Sequence, residues 1–202
     1  MKLNVPLFAQ TSLLNCGPTA LRMVLAYFDK DYGLDLLSKL VRIQDGKGVS
    51  TIKIAIAASE LGYKVKFYSI SLTFNQSNME LDYYKKYGDL TRVHESEKLC
   101  EEAKKKRIEL QERSISLEEL LSFITEDSIP IVLLNWSVVV GKKEKGYVGH
   151  FVPVVGYDDN NIFVHNQDTN NPQAFVAIPK NIFEEARKAK GTDEDIAIIY
   201  RK

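Results

Sequence analysis

The chain has 202 residues, 45% of them hydrophobic, with 27 Lys plus Arg against 27 Asp plus Glu and a formal net charge of zero. That length suits one packed domain and is short for two, and the charge balance excludes a general attraction to nucleic acid or to an anionic membrane. Only two cysteines occur, no run approaches the roughly 20 apolar residues of a membrane span, and no signal-type segment precedes Gln10, so a cytoplasmic protein without disulfides, structural zinc or membrane insertion is expected.

Val5–Phe8 reads as an extended entry, followed by a polar turn over Gln10–Asn15. Pro18 suits the first turn of a helix, and Leu21, Val24, Leu25 and Phe28 form one apolar stripe, so Cys16 is predicted at the mouth of a buried helix. Helices are predicted over 34–41 and 51–61, the second capped by Ser50 and stopped by Gly62. Tyr63–Ile70 reads as a strand. Residues 75–113 turn polar, with helices near Met79–Tyr87 and Glu95–Glu112. A short helix over 117–125, capped by Ser116, leads through Pro130 into a strand at Ile131–Asn135. The last third is β-rich: strands over 150–157, 162–166, 175–178 and 196–200, with a helix starting at Pro179 and running to about Lys190. Helices first and antiparallel strands last argue for an α+β fold in a single domain, 1–202, with a mainly helical insert at about 72–113.

A thiolate is the reactive form of cysteine, and a helix N-terminus or an imidazolium lowers a thiol's pKa. Cys16 is predicted to have the first, and the second must come from His94, His150 or His165. His94 stands in a charged stretch beside Glu95, and His165 points away from Asn166 if its strand is regular. His150 opens an apolar strand directly after Gly149, where an ionisable ring needs a partner or a function. A base in this role needs an orienting group, and Asn166, across the predicted hairpin, is favoured over Asp168. Gln10 and the Cys16 backbone N–H are candidate donors to an oxyanion. Trp136 reads as core or cleft wall, Cys100 as packing on an amphipathic helix, and Ser137–Gly149 as a loop able to cover the cleft.

The segment VPLFAQTSLLNCGPTALRMVLAYF resembles the start of the double-glycine leader peptidases, within the papain-like cysteine peptidase superfamily. GVSTIKIAIAASELGYKVKFYSIS and GHFVPVVGYDDNNIFVHNQD are similar to that family's helix–strand block and His strand. The resemblance implies a papain-like fold, with a helical half carrying the nucleophile and a C-terminal antiparallel sheet. It also implies Gln10 as oxyanion donor, Cys16 as nucleophile, His150 as base and Asn166 as orienter, with no cofactor. Many leader peptidases have Asp-Pro where this chain has Asn166-Gln167, which leaves the papain-type orienter in place and specificity for leader peptides open. LDYYKKYGDLTRV and NIFEEARKAKGTDEDIAIIY resemble the guanylyl-cyclase-domain-containing proteins of plants and animals.

The expected function is hydrolysis of a peptide, protein or small amide through an acyl-enzyme. Transfer of the acyl group to an amine or thiol, a binding module that has lost turnover, and guanylyl cyclisation are the alternatives. Cyclisation of a purine triphosphate needs metal-bound carboxylates, and Asp193, Glu194 and Asp195 read instead as a charged turn. Gly46-Lys47-Gly48 lacks the spacing of a phosphate-binding loop.

Overall fold

In the computed structural model, which describes residues 1–202, helix α1 runs over Cys16–Phe28 and buries the predicted stripe together with Ala20 and Met23. Helix α2 (Leu34–Leu40) is short, and α3 (Thr51–Glu60) is buried continuously from Thr51 to Ala58. A helix buried on every side cannot leave Lys53 uncompensated. Lys53 Nζ meets Asp89 Oδ1 at 2.8 Å, and both side chains are 3% exposed. Ser50 stands at the N-cap of α3 without capping it, because its hydroxyl donates to Asp89 Oδ2 at 2.8 Å. Gly62 turns the chain with φ +86° into strand β1 (Lys64–Ser69).

The polar third departs from expectation. A 3-10 turn over Gln76–Glu80 precedes α4 (Asp82–Tyr87), and α5 spans Leu90–Lys105 with a kink at Glu95. Asp89 caps α5, accepting from Thr91 N and Arg92 N. The predicted continuation to Glu112 fails because Arg107, at φ +60°, ends the helical path. Glu109–Glu112 forms instead strand β2, parallel to β1. Helix α6 (Leu117–Ser122) is capped as predicted, Ser116 Oγ accepting from Glu119 N at 3.0 Å.

Strand β3 (Ser128–Asn135) runs into a four-residue helix, α7 (Trp136–Val139). Strands β4 (Gly149–Tyr157), β5 (Asn161–Asn166) and β6 (Gln173–Pro179) follow, then α8 (Lys180–Arg187) and β7 (Ile196–Tyr200). They form one seven-stranded sheet in the order β2-β1-β7-β3-β4-β5-β6, antiparallel except at β1–β2. The fold is α+β, but the sheet is not wholly C-terminal: β1 sits between β2 and β7. Its central strands β7, β3 and β4 carry the apolar runs, so α1 can pack on β4 and α3 on β1 and β7. That packing brings the front of α1 to the start of β4.

Candidate functional site

Cys16 is the first residue of α1. Asn15, at the cap, turns its carboxamide backwards, accepting from Ser12 N at 3.2 Å and donating to Thr11 Oγ1 at 2.8 Å. The first N–H groups of the helix are therefore left to other partners. Burial pushes the Cys16 thiol up, and the amide N–H groups of Phe151, Gly17 and Cys16 itself, lying against the sulfur, pull it down by less. The expected activation by the helix end is thus present but outweighed, because the thiol is enclosed. Gly17 is required by crowding: a Cβ there would stand 2.5 Å from Val49 Cγ1 and 3.0 Å from Ile54 Cδ1.

His150 is 9% exposed, and its Nε2 lies 3.1 Å from Asn166 Oδ1. With the Nε2–H donating to that oxygen, Nδ1 keeps its lone pair. Burial pulls the imidazole down to about 4, against the opposing effects of the Asn166 bond and the Asp168 charge. It is neutral at physiological pH. Asp168, the rival orienter, spends its carboxylate on its own turn, accepting from Asn170 N at 2.9 Å and Asn171 N at 3.0 Å. Trp136 packs edge-on against the His150 ring with centroids 4.8 Å apart, so it walls the site. The other histidines lie elsewhere. His94 is exposed, and His165 is a saturated core residue, its Nε2 2.8 Å from Val5 O and its Nδ1 accepting from Phe175 N.

The tether that joins these pieces is Gln167, which sequence reasoning assigned no role. It is fully buried, and its Nε2 donates to Cys16 O at 3.1 Å and to Phe151 O. Its own carbonyl accepts from Gln10 N at 2.8 Å. One side chain and one backbone group thus hold the helix of Cys16, the strand of His150 and the Gln10 turn together. The available signal was the polar pair Asn166-Gln167 ending an apolar strand. Gln10 is itself 5% exposed, with its Oε1 buried and unpartnered.

Cys16 and His150 face adjoining cavities. The inner one, of about 60 Å³, is lined by Cys16, and the outer one, of about 220 Å³, by Gln10, Trp136, His150, Asn166 and Asp168. Leu14, Tyr83, Tyr87 and Gly149 belong to both walls. Tyr83 donates to Gly149 O at 3.2 Å, one residue before His150. No hydrogen bond links Cys16 Sγ to the imidazole; the sulfur contacts the Phe151 amide and the ring bonds Asn166. Two aromatic rings of helix α4, Tyr83 and Tyr87, line both cavities. The segment after Trp136 contributes Tyr147, whose ring stacks on Tyr84 and meets Tyr83 edge-on. Cys100 is remote from these groups, donating to Leu72 O at 3.1 Å.

The acids near the C-terminus do not fit a metal-assisted triphosphate site. Asp193 accepts from Asn75 and Asn78, Glu194 pairs with Arg187 at 3.2 Å, and Asp195 accepts from Thr51 Oγ1 at 2.7 Å. No three His, Cys, Asp or Glu side chains are grouped as ligands. The guanidinium of Arg92, in the same cavity, is committed to the carbonyls of Ser71, Leu72 and Thr73.

Among solved structures, the peptidase domain of Streptococcus ComA, a bifunctional ABC transporter of a quorum-sensing pathway, superposes with a TM-score of 0.55 at 16% identity, covering 98% of this chain and 100% of that one. A double-glycine motif protease from an AMS/PCAT transporter, solved with its leader peptide, gives 0.56 at 18% identity, over 99% and 93%. The fold is therefore the papain-like one of these peptidase domains. In sequence, "Guanylyl cyclase 1" of Arabidopsis thaliana is 25% identical over 212 residues, spanning 98% of this chain and 76% of that protein. The family profile described as "Guanylylate cyclase" matches residues 5–199, nearly the whole length, and the chain belongs to that family.

Proposed function

We propose that the chain is a cysteine hydrolase of amide or peptide bonds, with Cys16 as nucleophile, His150 as general base, Asn166 as its orienter and Gln10 as an oxyanion donor. The observation that carries this reading is the His150–Asn166 bond of 3.1 Å on a strand whose next amide, that of Phe151, rests against the Cys16 sulfur. Attack requires Sγ to turn from the inner cavity to the outer one, towards Nδ1. As sulfur attacks the substrate carbonyl, Nδ1 takes the thiol proton; the tetrahedral oxyanion meets Gln10 and the Cys16 N–H. The imidazolium then gives its proton to the leaving amine and a thioester remains. Water, deprotonated by Nδ1, attacks the thioester and releases the acid and the thiol. An amine in place of water turns the same sequence into acyl transfer.

A peptide substrate is supported by the leader peptide bound to a protease of this fold. Residues 1–202 act as one domain, in which the 72–113 insert supplies α4 as the cleft cover. Both cysteines are free, which suits a reducing compartment such as the cytoplasm. No helix is long and apolar enough to cross a membrane. Nucleotide cyclisation, which the family name suggests, finds no support in Asp193 and Glu194, which are bonded to Asn75, Asn78 and Arg187.

The test is acylation by p-nitrophenyl acetate. A burst of nitrophenol stoichiometric with protein, with one acetyl group on Cys16 and none on Cys100, is the expected result, lost in Cys16→Ala and His150→Ala. The enclosed, unactivated thiol favours a second reading, a binding module that has kept the scaffold. No burst and no adduct, with the fold intact, would establish it in place of the first.

A further inference from the structure

The inner cavity holds more polar chemistry than a thiol needs. Asp195 and Tyr147 both line it, each less than 9% exposed. Asp195 Oδ2 is bonded to Thr51, but Oδ1 is buried with no partner. Ser69, close by, spends its hydroxyl on the carbonyls of Ser71 and Asp193. The Tyr147 hydroxyl is buried beside Tyr84 and makes no hydrogen bond of ordinary geometry either, while Tyr84 donates to Gly191 O at 2.5 Å. An unpaired buried acceptor costs about 1–3 kcal/mol, so two in one cavity point to an occupant that bonds them.

Charge and shape narrow the occupant. The charged groups in and behind the wall are Lys53 and Arg92 against Asp89, Asp193 and Asp195, two positive and three negative when Asp195 is ionised. One cation restores neutrality. The remaining wall is aromatic, with Phe74, Tyr83, Tyr84 and Tyr87 beside Tyr147, and such rings favour a cation over their faces. A volume of about 60 Å³ admits about four water-sized centres, at roughly 15 Å³ each.

We propose that the inner cavity is a subsite for a primary ammonium on a stem of about three carbons, donating to Asp195 Oδ1 and the Tyr147 oxygen while Cys16 stands at the cavity wall. Taken with the reading of Cys16 as nucleophile, on which this assignment to a substrate rests, the acyl part of the substrate carries the amine. A carboxylate or phosphate is repelled there by the Asp195 carboxylate, while the Arg92 guanidinium is turned towards the carbonyls of Ser71, Leu72 and Thr73.

The test titrates the intact chain with propylammonium, propan-1-ol and propionate, following backbone amide resonances of Thr51, Tyr147 and Gly191–Asp195. Saturable shifts with propylammonium alone are expected. Asp195→Asn, nearly isosteric, weakens its binding about tenfold or more, the loss of one charge-assisted hydrogen bond. Tyr147→Phe weakens it less. Equal binding of the alcohol, no saturable shift with the ammonium, or unchanged affinity in a folded Asp195→Asn chain would overturn the subsite. The ligand series on the unmodified chain decides the matter even if the variant does not fold. Measuring the nitrophenyl acetate burst on the same unmodified chain separates the two readings: ammonium binding with no burst removes the enzyme and keeps the subsite, and a burst with no ammonium binding removes the subsite alone.

Discussion

His150 sits where burial and proton transfer pull in opposite directions. Its ring is held down to about 4 by enclosure, yet the same enclosure makes the Asn166 bond effective in fixing the tautomer. Asn166→Ala is expected to cut the acylation rate by about 10²- to 10⁴-fold, measured as the burst rate constant. Asp168 acts on the ring only through its charge, which raises the imidazole's pKa. Asp168→Asn is therefore expected to move the acid limb of the acylation profile to lower pH while leaving the plateau in place. A collapse of the plateau would instead make Asp168 the orienter. Gln167 is a different kind of residue, bonding to neither substrate nor imidazole. Gln167→Leu leaves the Cys16 and Phe151 carbonyls without their donor, and a loss of about 1–3 kcal/mol in urea unfolding is expected.

At the scale of elements, α4 decides the state of the thiol. Tyr83 lines both cavities and bonds the carbonyl preceding His150. Tyr83→Ala removes that wall and rehydrates Cys16, and each factor of ten in thiolate fraction recovered appears directly in the rate of alkylation. An increase of about tenfold in iodoacetamide labelling of Cys16, with Cys100 unchanged, is expected by mass spectrometry. An unchanged rate would place the barrier elsewhere. The insert is held to α3 by the buried Lys53–Asp89 pair. Removing one partner strands the other, so Asp89→Ala is expected to cost about 3–5 kcal/mol, and adding Lys53→Met recovers part of it.

For the whole molecule, two buried groups set opposing pH dependences. Unfolded, Asp195 loses its proton near 4; folded, it keeps it up to about 7, because burial outweighs the pull of Arg92. Between those values the unfolded chain binds fewer protons, and stability falls as pH rises. His150 behaves in the opposite sense: the unfolded ring binds a proton below 6.5, the folded one only below about 4, so stability rises with pH across that window. Each effect is worth about 3–4 kcal/mol, and they offset one another between pH 4 and 6.5. Asp195→Asn is expected to expose the rise and His150→Gln the fall, in denaturation midpoints read from pH 4 to 7. Parallel curves for the two variants would contradict both assignments.

Local chemistry was enough for much of this. The stripe of α1, the Ser116 cap, the Gly62 stop and the run of apolar strands after Pro130 all follow from spacing and propensity, and so does the exposed position of His94. The pairing of His150 with Asn166 was legible because a hairpin joins them sixteen positions apart. Strand β2 was not, since Glu109–Glu112 has no strand pattern of its own and exists only by pairing with β1. Nor was the role of Gln167, whose three partners come from separate parts of the chain. The protonation of Cys16 and His150 also belongs to the tertiary structure. A pKa depends on what excludes water from the group, and here that is an aromatic helix some 65 residues from one partner in the chain and as far from the other.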